Sequence, residues 1–270
     1  MRLPFDLENH PLQATYQLLL EGDLKKGLVN ARKVRITNGL GRLAPQYLLP
    51  LQLLETSVIG NGKKQETLVQ KLLKNDEYVA LTEVVKLFWV LQDQFHQEEW
   101  FKSISNTVLQ LIQKWTETIV QAAKDYPRNP IRAEVWLNGA NLRAECGGLA
   151  QWFKKQNLTP EWADLVFAKT RITLAIMSHY HHEVGPAMLE MAEVYLTLND
   201  IERAKQIYHA VILDFSGFID QYQADSEEIT PEDQLSLQSL EQALSGYLTI
   251  DDQNDELKVR LEQVRQVLSD

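Results

Sequence analysis

The chain contains few residues of the types that cross-link a fold covalently or interrupt its helices and strands. Its 270 residues include one cysteine, 12 glycines and 9 prolines. Because the single cysteine, Cys146, cannot form an internal disulfide, the fold must be held by packing, and a reducing compartment is the expected setting. Few glycines and prolines beside 44% hydrophobic residues exclude a disordered chain and predict a large packed core.

Long hydrophobic runs are also missing. No stretch of the sequence approaches the roughly 20 apolar residues that cross a bilayer. The N-terminal segment, MRLPFDLENH, lacks the apolar run of a signal peptide. We therefore expect no membrane association and a cytoplasmic location.

The motifs that carry chemistry are scarce. The sequence has no P-loop, GxGxxG, GxSxG, HExxH or CxxC pattern to place a phosphate, a dinucleotide, an activated serine, a metal or a thiol pair. His179, His181 and His182 lie near Glu183, and the one-turn spacing of His179 and Glu183 could hold a metal. A polar helix end, or a histidine at a helix C-terminal dipole, is the simpler interpretation. The sequence thus predicts no metal, no cofactor and no catalytic residue, and it gives no specific reason to propose an enzyme.

Charge is plentiful but unevenly distributed around a net value of −10. Residues 214–270 carry three basic and fourteen acidic side chains, whereas residues 1–45 carry seven basic and four acidic ones. The N-terminal excess forms a basic patch of Lys25, Lys26, Arg32, Lys33, Arg35 and Arg42. Such a patch suits nucleic acid, phosphates or an acidic partner, although a solvated helix face gives the same pattern. The acidic balance of the whole chain disfavours duplex nucleic acid.

Apolar residues recur at steps of three and four through most of the chain, which predicts an all-α fold. A buried apolar helix is expected from Pro45, interrupted or kinked at Pro50, and a loop is expected over 216–229. The segment 126–130 should stop the long helix before it, because each of its prolines disfavours a helical conformation in the preceding residue. We predict one helical array over 1–270; if it has a sub-boundary, this lies near 126–130, between helices 1–125 and repeat-like helices 131–270.

The strongest local pattern lies in Gly185–Phe215, which reads GPAMLEMAEVYLTLNDIERAKQIYHAVILDF. The residues that share helical faces are Met191, Ala192 and Tyr195, then Ala204, Tyr208 and Val211, with Asn199 and Asp200 at the break. This spacing resembles a tetratricopeptide repeat, a helix–turn–helix unit of roughly 34 residues. Met188 and Asn199 replace the family's Trp and turn Gly. The resemblance implies antiparallel helical hairpins stacked as a superhelix with an extended concave surface. Residues 22–31 give a second, poorer match.

A polar stripe runs along the predicted helix 131–155. Its residues are Glu134, Asn138, Asn141 and Glu145, with Arg143 on the neighbouring flank. Asparagine amides can pair with both the donor and the acceptor of an extended backbone, so the stripe could line a peptide groove. A solvated helix face gives the same pattern. The glycines of this helix, including Gly139 and Gly147, indicate close helix contact, a kink or a ligand near the backbone.

The function that these features favour is a protein- or peptide-binding scaffold or regulatory adaptor that uses a concave helical surface. Two alternatives stay open. One is an enzyme or small-ligand-binding domain with a pocket around Asn138, Asn141 and Arg143. The other is binding of nucleic acid or an acidic partner through the N-terminal basic patch.

Overall fold

The computed structural model describes residues 3–37, 44–74, 77–125, 133–225 and 229–269. These residues form twelve α-helices and no strand, so the predicted all-α fold class is confirmed. The helices are α1 (Gln13–Leu20), α2 (Leu24–Thr37), α3 (Pro45–Ile59), α4 (Gly62–Leu73), α5 (Tyr78–Phe95), α6 (Glu99–Lys124), α7 (Ala133–Lys155), α8 (Thr159–Ile176), α9 (His181–Thr197), α10 (Ile201–Asp225), α11 (Pro231–Ile250) and α12 (Asp255–Ser269).

The chain divides into two compact units, Met1–Trp115 and Thr116–Asp270, and the division falls within α6. The sequence places its candidate sub-boundary near 126–130, which lies outside the described residues. That boundary therefore stays a prediction.

Helix α5 supplies the centre of the first unit's core. It is buried on nearly all sides, and both α1 and α3 pack against it. Helix α3 is also largely buried, as its apolar sequence predicts, with Leu51, Leu53 and Leu54 fully covered. The predicted interruption of α3 is wrong, since the helix continues through Pro50. Proline removes one helix hydrogen bond, and burial of the neighbouring leucines outweighs that loss.

A buried charged cluster ties the N-terminal segment to α5. His10 donates from Nε2 to Glu83 Oε2 at 2.9 Å, and Lys86 Nζ lies 2.7 Å from the other carboxylate oxygen of Glu83. The backbone amide of Leu12 donates to His10 Nδ1 at 3.2 Å, which fixes the proton of the neutral imidazole on Nε2. His10 also stacks on Tyr16, with ring centroids 5.1 Å apart.

In the second unit, each helix from α7 to α11 packs against the next one in the chain. In addition, α9 contacts α11 and α10 contacts α12. Contacts of this kind arise when the hairpin α9–α10 stacks on the hairpin α11–α12. Gly185 allows α9 and α11 to approach, because a Cβ at that position would lie 2.6 Å from Ser239 Oγ.

The stretch Gly185–Phe215 forms a helical hairpin, as its pattern predicts. Ala192 of α9 and Ala204 of α10 are fully buried in its core. The loop predicted from residue 216 is wrong over 216–225, because α10 continues to Asp225. The reason is packing: Ile219 is completely buried, so the apolar face of α10 extends one turn beyond Phe215. The tetratricopeptide-like superhelix itself stays a prediction.

Four helical hairpins share one turn geometry. In the turns α1–α2, α3–α4, α7–α8 and α9–α10, the left-handed residues are Gly22, Gly60, Asn157 and Asn199, with φ values of 80°, 71°, 58° and 59°. In every case the amide of this residue bonds to the carbonyl three residues earlier, and the next amide bonds to the carbonyl five residues earlier. This pair of bonds is the Schellman motif. The following helix always begins two residues after the left-handed residue.

The residue after the left-handed position caps the next helix in three of these turns. The side chains of Asp23, Asn61 and Asp200 each accept the backbone amide three residues later, at 2.9, 3.1 and 3.2 Å. Carboxylates and amides are the preferred N-caps because they satisfy free amides of the first turn. A two-residue signature, Gly or Asn followed by Asp or Asn, therefore builds three of the four turns.

Candidate functional site

Three ion pairs join α9 to the two helices before it. The pairs are Arg143 with Glu183 at 2.5 Å, Lys169 with Glu190 at 2.5 Å, and Lys154 with Glu193 at 2.6 Å. All six side chains are partly exposed. Two of the cations belong to α7, and their order along α7 matches the order of their partners along α9. The two helices therefore run parallel, as the first helices of consecutive hairpins do. We call these six residues, together with Trp136 and Tyr180, the α7–α9 face.

Lys169 reaches this face from α8. Its neighbours Val166 and Thr173, one turn away on either side, are buried. The lysine stem passes α7 at Gly147, where an added Cβ would lie 4.0 Å from Lys169 Cε. A lysine can bury its stem and keep its ammonium group at the surface. The side chain of Lys169 thus passes α7, and its ammonium group pairs with the carboxylate of Glu190 on α9.

Two aromatic side chains stand exposed at one end of the face. Trp136 is 41% exposed and Tyr180 is 51% exposed. Trp136 lies about two turns before Arg143 on the same side of α7. Tyr180 immediately precedes α9, and its ring meets His182 edge-on at 5.9 Å. Since α7 and α9 run parallel, both aromatic residues lie at the end where these helices begin.

The polar stripe predicted on α7 lies on another flank of this helix. Glu134 and Asn141 are exposed, while Asn138 and Glu145 are half-buried. Arg143 stands roughly 200° around the helix axis from Asn141, and its guanidinium binds Glu183. The structure therefore does not place Arg143 on one face with Asn138 and Asn141. The residues of the polar stripe are not part of the α7–α9 face.

The histidine cluster is dispersed. Helix α9 begins at His181, so His179 lies in the preceding turn, and its predicted one-turn helical spacing from Glu183 is wrong. The rings of His181 and Phe215 meet edge-on at 5.4 Å. His182 Nδ1 lies 3.8 Å from a carboxylate oxygen of Glu232 on α11. Within the described ranges, no three or more His, Cys, Asp or Glu side chains are grouped so that they could hold a metal.

The cysteine is a core residue. Cys146 is fully buried on the core side of α7. Burial, and secondly the charge of Glu145, raise the pKa of its thiol far above the ordinary range. A thiol in this state is a poor nucleophile, since the thiolate is the reactive form.

The N-terminal basic patch is divided among different partners. Lys26 pairs with Asp23 at the start of α2. Arg32 and Arg35 both bind the carboxylate of Glu55 on α3. Lys25 and Lys33 are exposed on α2, and Arg42 lies outside the described residues. The patch is therefore partly neutralised by the fold.

The sequence reasoning missed the carboxylates of α9 and the lysine of α8. Glu183, Glu190 and Glu193 follow each other at steps of seven and three, which is also the pattern of an ordinary solvated helix face. Lys169 lies among apolar residues of α8, and this position in the sequence could have identified it as a candidate site residue. A lysine there must either find a partner or reach water.

Comparisons with known proteins return no matching family model, no matching curated protein and no matching solved structure. In the part of the chain that the structure describes, none of the helices has the length and apolar character needed to span a bilayer. The cytoplasmic location stays a prediction. The function has to be argued from the surface itself.

Proposed function

We propose that the chain is a protein- or peptide-binding scaffold and that its partner docks on the α7–α9 face. The observation that carries this proposal is the exposure of Trp136 and Tyr180 at one end of the face that also contains Arg143. Tryptophan, tyrosine and arginine are the residues that most often dominate binding energy at protein interfaces. Large apolar side chains that share an exposed surface are also typical of interaction sites.

The charges of the face suit a partner that exchanges ion pairs. Each pair is partly exposed, and exposed pairs contribute only about 0–1 kcal/mol to stability. A bound peptide could replace one member of a pair at little cost in folding free energy. The parallel arrangement of α7 and α9 supports an extended ligand, because first helices of successive hairpins form a continuous surface.

The alternative of an enzyme gains no specific observation. The thiol of Cys146 is buried in the core. His181 packs against Phe215, and His182 faces Tyr180 and Glu232. Arg143, one of the residues of the pocket that this alternative requires, is paired with Glu183. We therefore assign these residues to packing and to the binding surface.

Site-specific photo-crosslinking tests the proposal. A photoreactive amino acid is placed at Tyr180 and, as a matched control, at Leu174 on α8, which is 42% exposed. The full-length variants are irradiated in extract of the native cell, and products are identified by mass spectrometry. We expect one dominant product from position 180 that is absent from position 174. The Trp136→Ala substitution should strongly reduce this product while the helical circular dichroism stays unchanged, because Trp136 is exposed.

Two outcomes would count against the α7–α9 face. The same crosslinked products in equal yield from positions 180 and 174 would indicate non-specific collisions and no binding site on this face. A product that survives Trp136→Ala but disappears when Asn138→Ala and Asn141→Ala are combined would move the partner to the polar stripe. That double variant should remain folded, since the two amides lie at the surface of α7 or near it.

A further inference from the structure

Helix α4 concentrates basic side chains that lack partners. Its lysines are Lys63, Lys64 and Lys71, and Lys74 follows directly after its end. The same helix carries a single carboxylate, that of Glu66. Among the described residues, none of these four ammonium groups forms an ion pair or a hydrogen bond. The neighbouring cations Lys26, Arg32 and Arg35, by contrast, are all paired. In a chain of net charge −10, unpaired lysines gathered on one helix require an explanation.

Two adjoining clefts run along this helix. The first has a volume of about 400 Å³, and its walls include Arg35 of α2, Glu55 and Ile59 of α3, and Lys64 of α4. The second has a volume of about 470 Å³ and ends at Lys74. Both clefts are lined by Thr67 and Lys71, so they adjoin at these two residues. We call the two clefts together the α4 groove; the α4 residues that line it, from Lys64 to Lys74, span about 15 Å at 1.5 Å per helical residue.

The electrostatics of the α4 groove are set by its lysines. Among the described residues, Glu55 is the one acidic residue that lines the first cleft. Its carboxylate oxygens are already bound by Arg32 and Arg35. Lys64 and Lys71 stand seven residues apart on α4 and therefore on the same side of the helix. Their charges are unopposed within the first cleft and favour an anionic ligand.

The groove also offers neutral contacts. Ile59 on its wall is 60% exposed, which leaves an apolar surface for a ligand side chain. The side-chain amides of Gln52 and Gln70 line the two clefts and form no hydrogen bond within the described residues. Such amides can pair with the donors and acceptors of a peptide backbone. At about 3.3 Å per extended residue, the groove accommodates roughly four or five residues.

We propose that the α4 groove binds an acidic peptide segment that contains apolar residues. A peptide uses all the features of the groove: carboxylates on Lys64 and Lys71, the backbone on the glutamine amides, and an apolar side chain on Ile59. A nucleic acid strand offers neither an apolar side chain for Ile59 nor a peptide backbone for the glutamine amides. The site lies in the first unit and is independent of the function proposed for the α7–α9 face.

Fluorescence anisotropy with the full-length protein tests this site. The probe is a short fluorescein-labelled peptide of alternating glutamate and leucine. We expect Lys64→Gln combined with Lys71→Gln to weaken binding about fivefold or more, since the two substitutions remove two charge contacts with the peptide. The matched control is Lys63→Gln combined with Lys124→Gln, which removes the same charge at two exposed lysines outside the groove. This control should change binding less than twofold, and binding should weaken with added salt.

Further probes separate the apolar contact and the competing ligands. Ile59→Ser changes no charge and should still weaken binding of the peptide, which keeps the test valid if the double lysine variant misfolds. A peptide with glutamine in place of every glutamate should not bind. Equal losses in the groove variant and its control, or undiminished binding of the glutamine peptide, would overturn the proposal. A labelled single-stranded oligonucleotide that binds more tightly than the acidic peptide would overturn it in favour of nucleic acid.

Discussion

Both units carry exposed ion pairs, such as Lys26 with Asp23 in the first unit, but the first unit also contains a buried cluster of ionisable groups. In the first unit, the side chain of Glu83 is only 1% exposed and lies between His10 and Lys86. In the second unit, the side chains of all three ion pairs of the α7–α9 face are partly exposed. Removing one member of a buried pair leaves an uncompensated charge, whereas breaking an exposed pair costs little. The buried cluster therefore belongs to the fold, and the exposed pairs are free to take part in binding.

The largest effect should come from adding a buried charge to the second unit. Among the described residues, the buried ionisable side chains that can carry a charge near neutral pH are His10 and Glu83, both in the first unit. Ala204→Arg would insert a guanidinium between α9 and α10 and should lower the free energy of unfolding by about 4 kcal/mol or more. Urea denaturation followed by circular dichroism measures this change.

The control for that substitution lies on the same helix. Leu213 of α10 is 65% exposed, so Leu213→Arg should change the unfolding free energy by less than about 0.5 kcal/mol. Equal effects of the two substitutions would contradict the hairpin core formed around Ala204.

The next effect compares the two kinds of ion pair directly. Glu83→Ala should destabilise the protein by about 3 kcal/mol, because it leaves His10 without its acceptor and Lys86 without its carboxylate. Glu193→Ala removes an exposed carboxylate and should cost about 0.5 kcal/mol. Both variants are compared in one urea series. A cost of Glu193→Ala as large as that of Glu83→Ala would remove the distinction between the two settings.

A smaller effect should appear in the pH dependence of the stability that Glu83 contributes in the first unit. Burial acts to raise the pKa of Glu83, but hydrogen bonds from His10 and Lys86 and the charge of Lys86 lower this pKa below its ordinary value of 4.5. A carboxyl whose folded-state pKa is depressed contributes stability above its unfolded pKa, and this contribution is lost as the pH falls through the folded value. Hence the stability difference between the wild type and Glu83→Gln should narrow below about pH 4.5.

Unfolding free energies of both proteins between about pH 7 and pH 3 measure this effect. The groups that face Glu83 are His10, Lys86 and Tyr16. Glu83→Gln retains all three side chains, so the comparison isolates the carboxyl of Glu83 together with its interactions with them. A difference that stays constant across the range would show that Glu83 does not titrate with folding.

The smallest effect concerns the exposed pairs themselves. A double-mutant cycle with Lys154→Ala and Glu193→Ala should give a coupling energy of about 0.5 kcal/mol or less at low salt. This coupling should fall further near 1 M salt, because the screening length there is only about 3 Å. A coupling that is large and independent of salt would mean that this pair is part of the fold.

The sequence was sufficient for the fold class and for most helices because the evidence for them is local. Apolar periodicity gave the helices, and the pattern around Ala192 and Ala204 gave the hairpin α9–α10. The sequence-based prediction failed at Ser216, where a loop was expected although buried Ile219 keeps α10 continuous. In such places, packing against distant helices decides the local structure, and one segment read alone cannot reveal it.

The candidate sites were harder to read for the same reason. Arg143 was named with Asn138 and Asn141 as a possible pocket residue, but its guanidinium binds Glu183 of α9, a partner that the sequence of α7 alone does not show. The lysines of α4 were visible in the sequence, yet their role depends on the cleft that they form with α3. A single sequence shows the charges of a helix but not which of them neighbouring helices neutralise.

The turn shared by four hairpins bears on how the chain folds. Each of these turns joins two helices through only two or three residues, so the helices meet without closing a long loop. Loop-closure entropy grows with loop length, and folding is faster when contacting residues are close in sequence. Individual hairpins can therefore form early, and the slower steps are those that stack one hairpin on the next. In kinetic experiments, substitutions in a turn such as Asn199 should change the folding rate, whereas those at α9–α11 contacts such as Ser239 should mainly change the unfolding rate.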